Sequence, residues 1–268
     1  MTLSDKIDQA VEILQGAAEA VVFSGAGMSA ESGIPTFRDP GGIWDQFDPE
    51  ELGTGSGLLH TLARHPDRIR SFLENTIEIF LAAKPNPGHL ALGAMEQMGL
   101  IRAVITQNVD NLHQEGGNSR VLEVHGNLFR QRCLACGQKQ ASEKVSYLVH
   151  IRRTLHKLAS LDLAAILREL PRCRCGSPMR PDVVMFGEAV QDMHESFVEA
   201  DGCSVMLVLG TSGVVYPAAA LPQRAKQAGA KVIEINPGDS VYAGIADLRI
   251  TEKTGRVLPE ILQRLQHA

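Results

Sequence analysis

Four cysteines in two close pairs, Cys133-x-x-Cys136 and Cys173-x-Cys175, are the residues whose types and spacing point most directly to chemistry. Thiolates so spaced can chelate one tetrahedral Zn2+ ion from two turns, and Gly137 and Gly176 follow the pairs where such turns want a small residue. Four thiolates leave no open position for a substrate, so the ion would be structural. Unrelated core cysteines are one alternative, and a thioredoxin-like redox role for Cys133 and Cys136 is another. Cys203 stands alone in DGCSVMLVLG beside an apolar run and reads as a small core hydrophobe.

Three further segments carry polar groups at the ends of apolar runs. GAGMSAESG follows AVVFS and sets Gly25, Gly27 and Ala30 in a G-x-G-x-x-A pattern. These glycines would let backbone approach a pyrophosphate, and a helix starting just after would favour its charge. A tight strand-to-helix turn needs glycine for steric reasons alone, so nucleotide binding stays open on these residues. The acidic ribose ligand usual about twenty positions on is also not evident. ITQNVDNLHQ gathers Gln107, Asn108 and Asp110, whose amides and carboxylate could read hydroxyls and a carboxamide or simply cap a turn. LEVHGN places His125 at a strand or loop edge, and local spacing does not separate it from the eight other histidines.

The elements that position these residues alternate. Ile7, Ala10, Val11 and Leu14 have helical spacing, with Ser4 as a plausible cap. AVVFS (20–24), IRAVITQ (101–107), VMLVLGTS (205–212) and KVIEIN (231–236) read as strands, separated by helical patterns at 88–98 and 218–229. Strands alternating with helices predict a mostly parallel sheet that binds ligands at its carboxyl ends. Residues 35–85 and the stretch around the cysteine pairs break this alternation and read as insertions forming a smaller domain. Leu148, Ile151, Leu155 and Leu158 lie on one helical stripe there, which reads as an internal contact.

The 268 residues suffice for one large α/β unit with a small satellite. Hydrophobic content is 44% but aromatics only 4%, so the core rests on Leu, Val, Ile and Ala, which suits a covered parallel sheet. A net charge of −5 with interspersed signs argues against direct nucleic-acid binding. Asp5, Asp8 and Glu12 interrupt the first twenty residues, unlike a signal peptide, and no apolar run could span a membrane. A cytoplasmic location and a metal site rather than disulfides are the expectations.

Taken together, GAGMSAESGIPTFR, PNPGH, TQNVDNLH, VHG, the cysteine pairs, RPDVVMFGE, GTS and EINP occur in the order of one family. The chain is similar to the sirtuins, NAD-dependent protein-lysine deacylases, from about residue 20 to residue 237. The resemblance implies a Rossmann-like NAD-binding domain (1–34, 86–130, 181–268) and a small zinc-bearing domain formed by insertions (35–85, 131–180), with NAD and acyl-lysine meeting in the cleft between them. It implies that Gly25, Ala26, Gly27, Ser29, Phe37 and Arg38 form the cofactor loop. Gln107 would touch the nicotinamide ribose, and Asn108 and Asp110 the carboxamide. Gly210, Thr211 and Ser212 would meet phosphate and ribose, and Asn236 the adenosine ribose. Val183, Val184, Phe186 and Gly187 would pair with the backbone of an acylated peptide, and His125 would be the catalytic base. In the implied reaction the acyl oxygen attacks the ribose carbon as nicotinamide leaves. The histidine then draws a proton through the ribose hydroxyls, and the product is an O-acyl-ADP-ribose.

The chain departs from the pattern in places. Thr36 replaces a usual aspartate, and Met185 a common aromatic. Sirtuins that prefer succinyl- or malonyl-lysine carry a Tyr-x-x-Arg pair upstream of PNPGH. Counted back from Pro85 without gaps, those places hold Leu73 and Thr76, which cannot clamp a carboxylate, and Glu78 nearby would repel one. Arg68 and Arg70 lie slightly earlier and would matter if the alignment carries a gap. Uncharged acyl groups, acetyl first, are therefore expected. A desuccinylase or demalonylase, mono-ADP-ribosyl transfer on the same fold, and a non-enzymatic NAD-sensing or zinc-ribbon module are the alternatives.

Overall fold

Leu3–Gln15 is the amphipathic helix its spacing predicts, burying Ile7, Ala10, Val11 and Leu14. Its cap is Thr2 rather than Ser4. The Thr2 hydroxyl accepts the Asp5 N–H at 3.2 Å while the Asp5 carboxylate accepts the Thr2 N–H at 2.8 Å. This reciprocal arrangement satisfies two end donors, which a lone serine does not. Ser4 lies inside the helix and accepts from Arg264.

The structure is a computed structural model and describes residues 1–36, 42, 47–158 and 161–267. Among them nine strands run in chain order: β1 (Ala20–Ser24), β2 (Ile101–Thr106), β3 (Val121–Glu123), β4 (Gly126–Cys133), β5 (Lys139–Ala141), β6 (Met179–Val183), β7 (Val205–Leu209), β8 (Lys231–Ile235) and β9 (Leu248–Ile250). Six form a sheet of order β3-β2-β1-β7-β8-β9, parallel at every pairing. The chain steps outward from β1 in one direction and from β7 in the other, so the order reverses between these neighbours. That reversal is where open parallel sheets of Rossmann type bind ligands.

Every residue of β1 and β7 is buried, as a sheet covered on both faces requires. Alternation splits β1 between two cores. Ala20 and Val22 pack with Leu207, Leu92 and Leu258 under the helices Leu3–Gln15, Pro87–Gln97 and Thr254–His267. Val21 and Phe23 pack with Met206, Val208, Ala200 and Leu221 under Met193–Gly202 and Leu221–Gln227.

The chain divides into two compact units. The first comprises residues 1–32, 84–125 and 190–268 and holds the parallel sheet. The second comprises residues 33–83 and 126–189 and holds the antiparallel sheet β5-β4-β6 with the helices Gly55–Arg64, Pro66–Ala82, Lys144–Lys157 and Leu163–Glu169. Leu148 and Leu155 are buried on Lys144–Lys157, which packs against Pro66–Ala82, so the stripe is an internal contact. Arg70 donates to the carbonyls of Leu155 and, at 3.0 Å, Leu158.

Candidate functional site

Around the switch point of the parallel sheet, two loops leave β1 and β7 and touch. The Gly27 N–H donates to the Gly210 carbonyl at 2.8 Å. A Cβ on Gly27 would sit 2.8 Å from the Gly210 Cα, and Gly210 itself has φ +55° with Met28 backbone 2.4 Å from where its Cβ would lie. Both glycines are therefore required by the approach of the two loops to one another. The helix expected after GAG is instead a pair of single 3-10 turns, Ala26–Met28 and Ala30–Ser32. The side chain of Ser29 is drawn inward there, donating to Asp110 Oδ2 at 2.6 Å.

Ser29, Asn108 and Asp110 form one buried network at the carboxyl ends of β1 and β2. The Asn108 Nδ2 donates to the Gly25 carbonyl at 3.0 Å and to Ser29 Oγ at 3.1 Å. Asp110 Oδ1 accepts the Leu112 N–H at 2.9 Å. Gln107 Nε2 donates to Thr211 Oγ1 at 3.0 Å, joining the β2 and β7 loops. Thr211 is buried and Ser212 exposed. Asn236 is buried just beyond β8, its Nδ2 donating to the Gly238 carbonyl at 3.2 Å. Gly25, Ala26, Gly27, Ser29, Gln107, Asn108, Asp110, Gly210, Thr211, Ser212 and Asn236 thus all lie just beyond the carboxyl ends of β1, β2, β7 and β8. Phe37 and Arg38 lie outside the described residues.

His125 occupies the two-residue turn between β3 and β4 and is half-buried. Its Nδ1 lies 3.1 Å from the Gln107 carbonyl oxygen. A carbonyl only accepts, so Nδ1 carries the hydrogen, and the neutral ring keeps its lone pair on Nε2. Burial holds the imidazole below its ordinary 6.5, opposed in part by the bond to Gln107. Sequence reasoning missed a layer beneath these groups. Ser24 Oγ, at the end of β1, lies 2.8 Å from Thr106 Oγ1 and 2.8 Å from His113 Nε2. The His113 ring meets His89 edge to face at 5.0 Å. Burial lowers His89 to about 3, helped by the neighbouring His113, and His113 to about 4. The available signal was the presence of both histidines in motifs, PNPGH and TQNVDNLH, whose other polar residues point to ligand binding.

In the second unit the cysteine pairs converge: the four Sγ atoms of Cys133, Cys136, Cys173 and Cys175 lie within 4.8 Å of one another. The Sγ separations of Cys133–Cys175 and Cys136–Cys173 are 3.5 and 3.6 Å. A disulfide needs about 2.05 Å, whereas tetrahedral zinc with bonds of about 2.3 Å sets its thiolates about 3.8 Å apart. The four thiolates therefore fit a zinc ion. Gly137 (φ +73°) and Gly176 (φ +88°) supply the left-handed turns after each pair. N–H groups of Cys136 and Ala135 aimed at Cys133 draw its thiol down to about 6. Cys203 is outside this cluster, buried, with its thiol pushed up to about 11 by burial.

Val183 ends β6, an edge strand of the small sheet, where it pairs with Gly126. Val184 follows it, and the Phe186 N–H donates to the Gly53 carbonyl at 2.8 Å before Gly187 turns at φ +87°. Leu73 and Thr76 lie on the helix Pro66–Ala82 and are half-buried. Arg68 pairs with Glu51 at 2.8 Å, while Glu78 pairs with Arg152 at 3.0 Å.

A doubly wound parallel sheet with polar groups at its switch point, interrupted by a four-thiolate module, defines a Rossmann-like dinucleotide-binding protein. A model of the Sir2 family matches residues 25–217, and the chain belongs to that family. It is 50% identical over 267 residues to an NAD-dependent protein deacylase of Desulfosudis oleivorans, covering 99% of this chain and 98% of the relative. It resembles a solved Sir2 enzyme at 43% identity and TM-score 0.78, with 98% of this chain and 99% of the other covered. Another similar structure, at 32% identity, TM-score 0.76 and 97% of each chain, is a Sir2 protein with a deacetylated p53 peptide and 3'-O-acetyl ADP ribose.

Proposed function

We propose that this chain is an NAD-dependent protein-lysine deacylase that removes uncharged acyl groups, acetyl first, with His125 as its general base. The observation carrying this reading is the His125 ring, tethered at Nδ1 to the Gln107 carbonyl and held neutral by burial, which leaves Nε2 to accept a proton. Gly25, Ala26, Gly27, Ser29, Gly210, Thr211, Ser212 and Asn236 would bind the dinucleotide, with Phe37 and Arg38 completing the loop. Gln107, Asn108 and Asp110 would orient the nicotinamide end, where NAD supplies the ribose carbon that takes the acyl oxygen. Val183, Val184, Phe186 and Gly187 would receive the peptide by extending the edge of β6.

The acyl preference rests on the helix Pro66–Ala82. Leu73 and Thr76 offer no cation, and the nearby Arg68 and Arg70 are engaged by Glu51 and by backbone carbonyls. Repulsion from Glu78 adds less than the sequence implies, because Arg152 pairs with it. One zinc ion on the four cysteines would brace the turns that follow β4 and precede β6. A cytoplasmic setting accords with thiolates that must stay reduced, and a net charge of −5 speaks against a nucleic-acid partner. Among the described residues no helix is long and apolar enough to cross a membrane.

The test is one peptide carrying acetyl-, succinyl- or decanoyl-lysine, assayed with NAD and with NAD omitted. Turnover should require NAD and favour the uncharged acyl groups. A clear succinyl preference would refute the acyl assignment, and turnover without NAD would refute the reaction.

A further inference from the structure

We infer that His113 is a positioning residue for the nicotinamide end of the site, acting on Asn108 through the buried hydroxyls of Ser24 and Thr106. The inference rests on the functional reading above and concerns groups that touch no substrate. His113 follows Asp110 by three residues, on the short helix Leu112–Glu115, and its side chain turns back beneath the sheet ends. The path has three links: Nε2 to Ser24 Oγ at 2.8 Å, Ser24 Oγ to Thr106 Oγ1 at 2.8 Å, and the Asn108 N–H to Thr106 Oγ1 at 3.1 Å. His113, Ser24 and Thr106 are 1%, 0% and 3% exposed, so water does not replace a lost partner.

Asn108 in turn holds the Gly25 carbonyl and Ser29 Oγ, and Ser29 holds Asp110. The same Ser24 also accepts the Gln107 N–H on its carbonyl at 3.0 Å. The three residues assigned to the nicotinamide end therefore connect, directly or through Asn108 and Ser29, to Ser24 and Thr106, and the imidazole contacts the hydroxyl of Ser24. Each hydroxyl has one hydrogen to give. Ser24 Oγ donates its hydrogen to Thr106 Oγ1, so Nε2 carries the ring hydrogen and donates to Ser24, and a second Thr106 lone pair accepts the Asn108 N–H. Removing the ring nitrogen takes away the donor that sets this direction.

The experiment compares wild type, His113→Leu, His113→Gln, Ser24→Ala and the His113→Leu/Ser24→Ala double variant. NAD and acetyl-peptide dissociation constants are measured separately by calorimetry, on variants whose circular dichroism matches wild type. His113→Leu should weaken NAD binding about tenfold, the scale of one lost buried hydrogen bond, and leave peptide binding unchanged. His113→Gln, which returns a polar atom near the Nε2 position, should recover most of the loss. Ser24→Ala should cost little further in the His113→Leu background, because both act along one path. A folded His113→Leu protein that binds NAD like wild type, equal loss for NAD and peptide, or additive effects of the two changes would overturn the inference. Should His113→Leu not fold, Ser24→Ala breaks the same path one atom further on and should weaken NAD but not peptide binding; a folded Ser24→Ala protein that binds NAD like wild type would then overturn the inference. A wild-type chain that binds no NAD would overturn the functional reading and this inference together.

Discussion

Replacing Cys173 by alanine should release the zinc ion and loosen the small antiparallel sheet. Among the described residues the buried apolar cluster at the module comprises Cys133, Cys173 and Met179. Of these only Met179 is not a thiolate of the metal set, and one such buried side chain contributes roughly 2 kcal/mol. A structural zinc ion contributes on the order of 10–16 kcal/mol at neutral pH, so the metal outweighs the apolar contact in holding the module together. Sγ separations of 3.5 and 3.6 Å are near the zinc tetrahedron edge and exclude a disulfide as the fastening. Metal content by mass spectrometry should fall from one zinc per chain to almost none. Urea titration should show a loss of at least about 3 kcal/mol, the order seen when a buried charge constellation loses a member. Cys203→Ala is the control: that thiol is buried away from the cluster, so zinc content should not change. A Cys173→Ala protein with one bound zinc, or one as stable as wild type, would refute the reasoning.

Three further outcomes follow from charge and burial. The pH profile of kcat/KM should lose activity on the acid side with a midpoint below 6.5, because burial lowers His125 and only its neutral form accepts a proton; a midpoint above 6.5 would contradict this. His89 and His113 have folded values of about 3 and about 4, below the 6.5 of the unfolded chain. Stability is therefore full above about pH 6.5 and lost as pH falls toward those values, by about 2 kcal/mol for each histidine at pH 5. Urea midpoints that stay flat from pH 7 to 5 would refute it. Asp182 is fully buried, with Arg130, Lys139 and Arg132 at 2.7, 3.2 and 3.6 Å, so Asp182→Asn should destabilise by roughly 3–5 kcal/mol. Urea titration reads this, and a loss under about 1 kcal/mol would be inconsistent with it.

Much of the parallel sheet was legible because its strands are short continuous apolar runs ending in small polar residues. AVVFS, IRAVITQ, VMLVLGTS and KVIEIN correspond to β1, β2, β7 and β8. The edge strands β3 and β9, three residues each, carry too little pattern to stand out and form because a neighbour offers its backbone. The helix read at 218–229 is a 3-10 turn, Ala218–Ala220, followed by Leu221–Gln227. The thiolate cluster was legible from spacing, since close pairs on glycine turns have few other uses. The layer of Ser24, Thr106 and His113 was not, because Ser24 lies 82 and 89 residues from the other two and meets them only once β1 and β2 pair. His125 shows the same limit: its bond to Gln107 spans 18 residues and no local pattern announces it.

His125 as the base of an NAD-consuming deacylation is tested most directly by its products. Purified wild type and His125→Ala, matched for fold by circular dichroism, would be given acetyl-lysine peptide and NAD, and the products resolved by mass spectrometry. Wild type should give equal amounts of nicotinamide, deacetylated peptide and O-acetyl-ADP-ribose, and the variant should lose the deacetylated peptide. Near wild-type turnover by a folded His125→Ala protein, or ADP-ribosylated protein without O-acetyl-ADP-ribose, would contradict it.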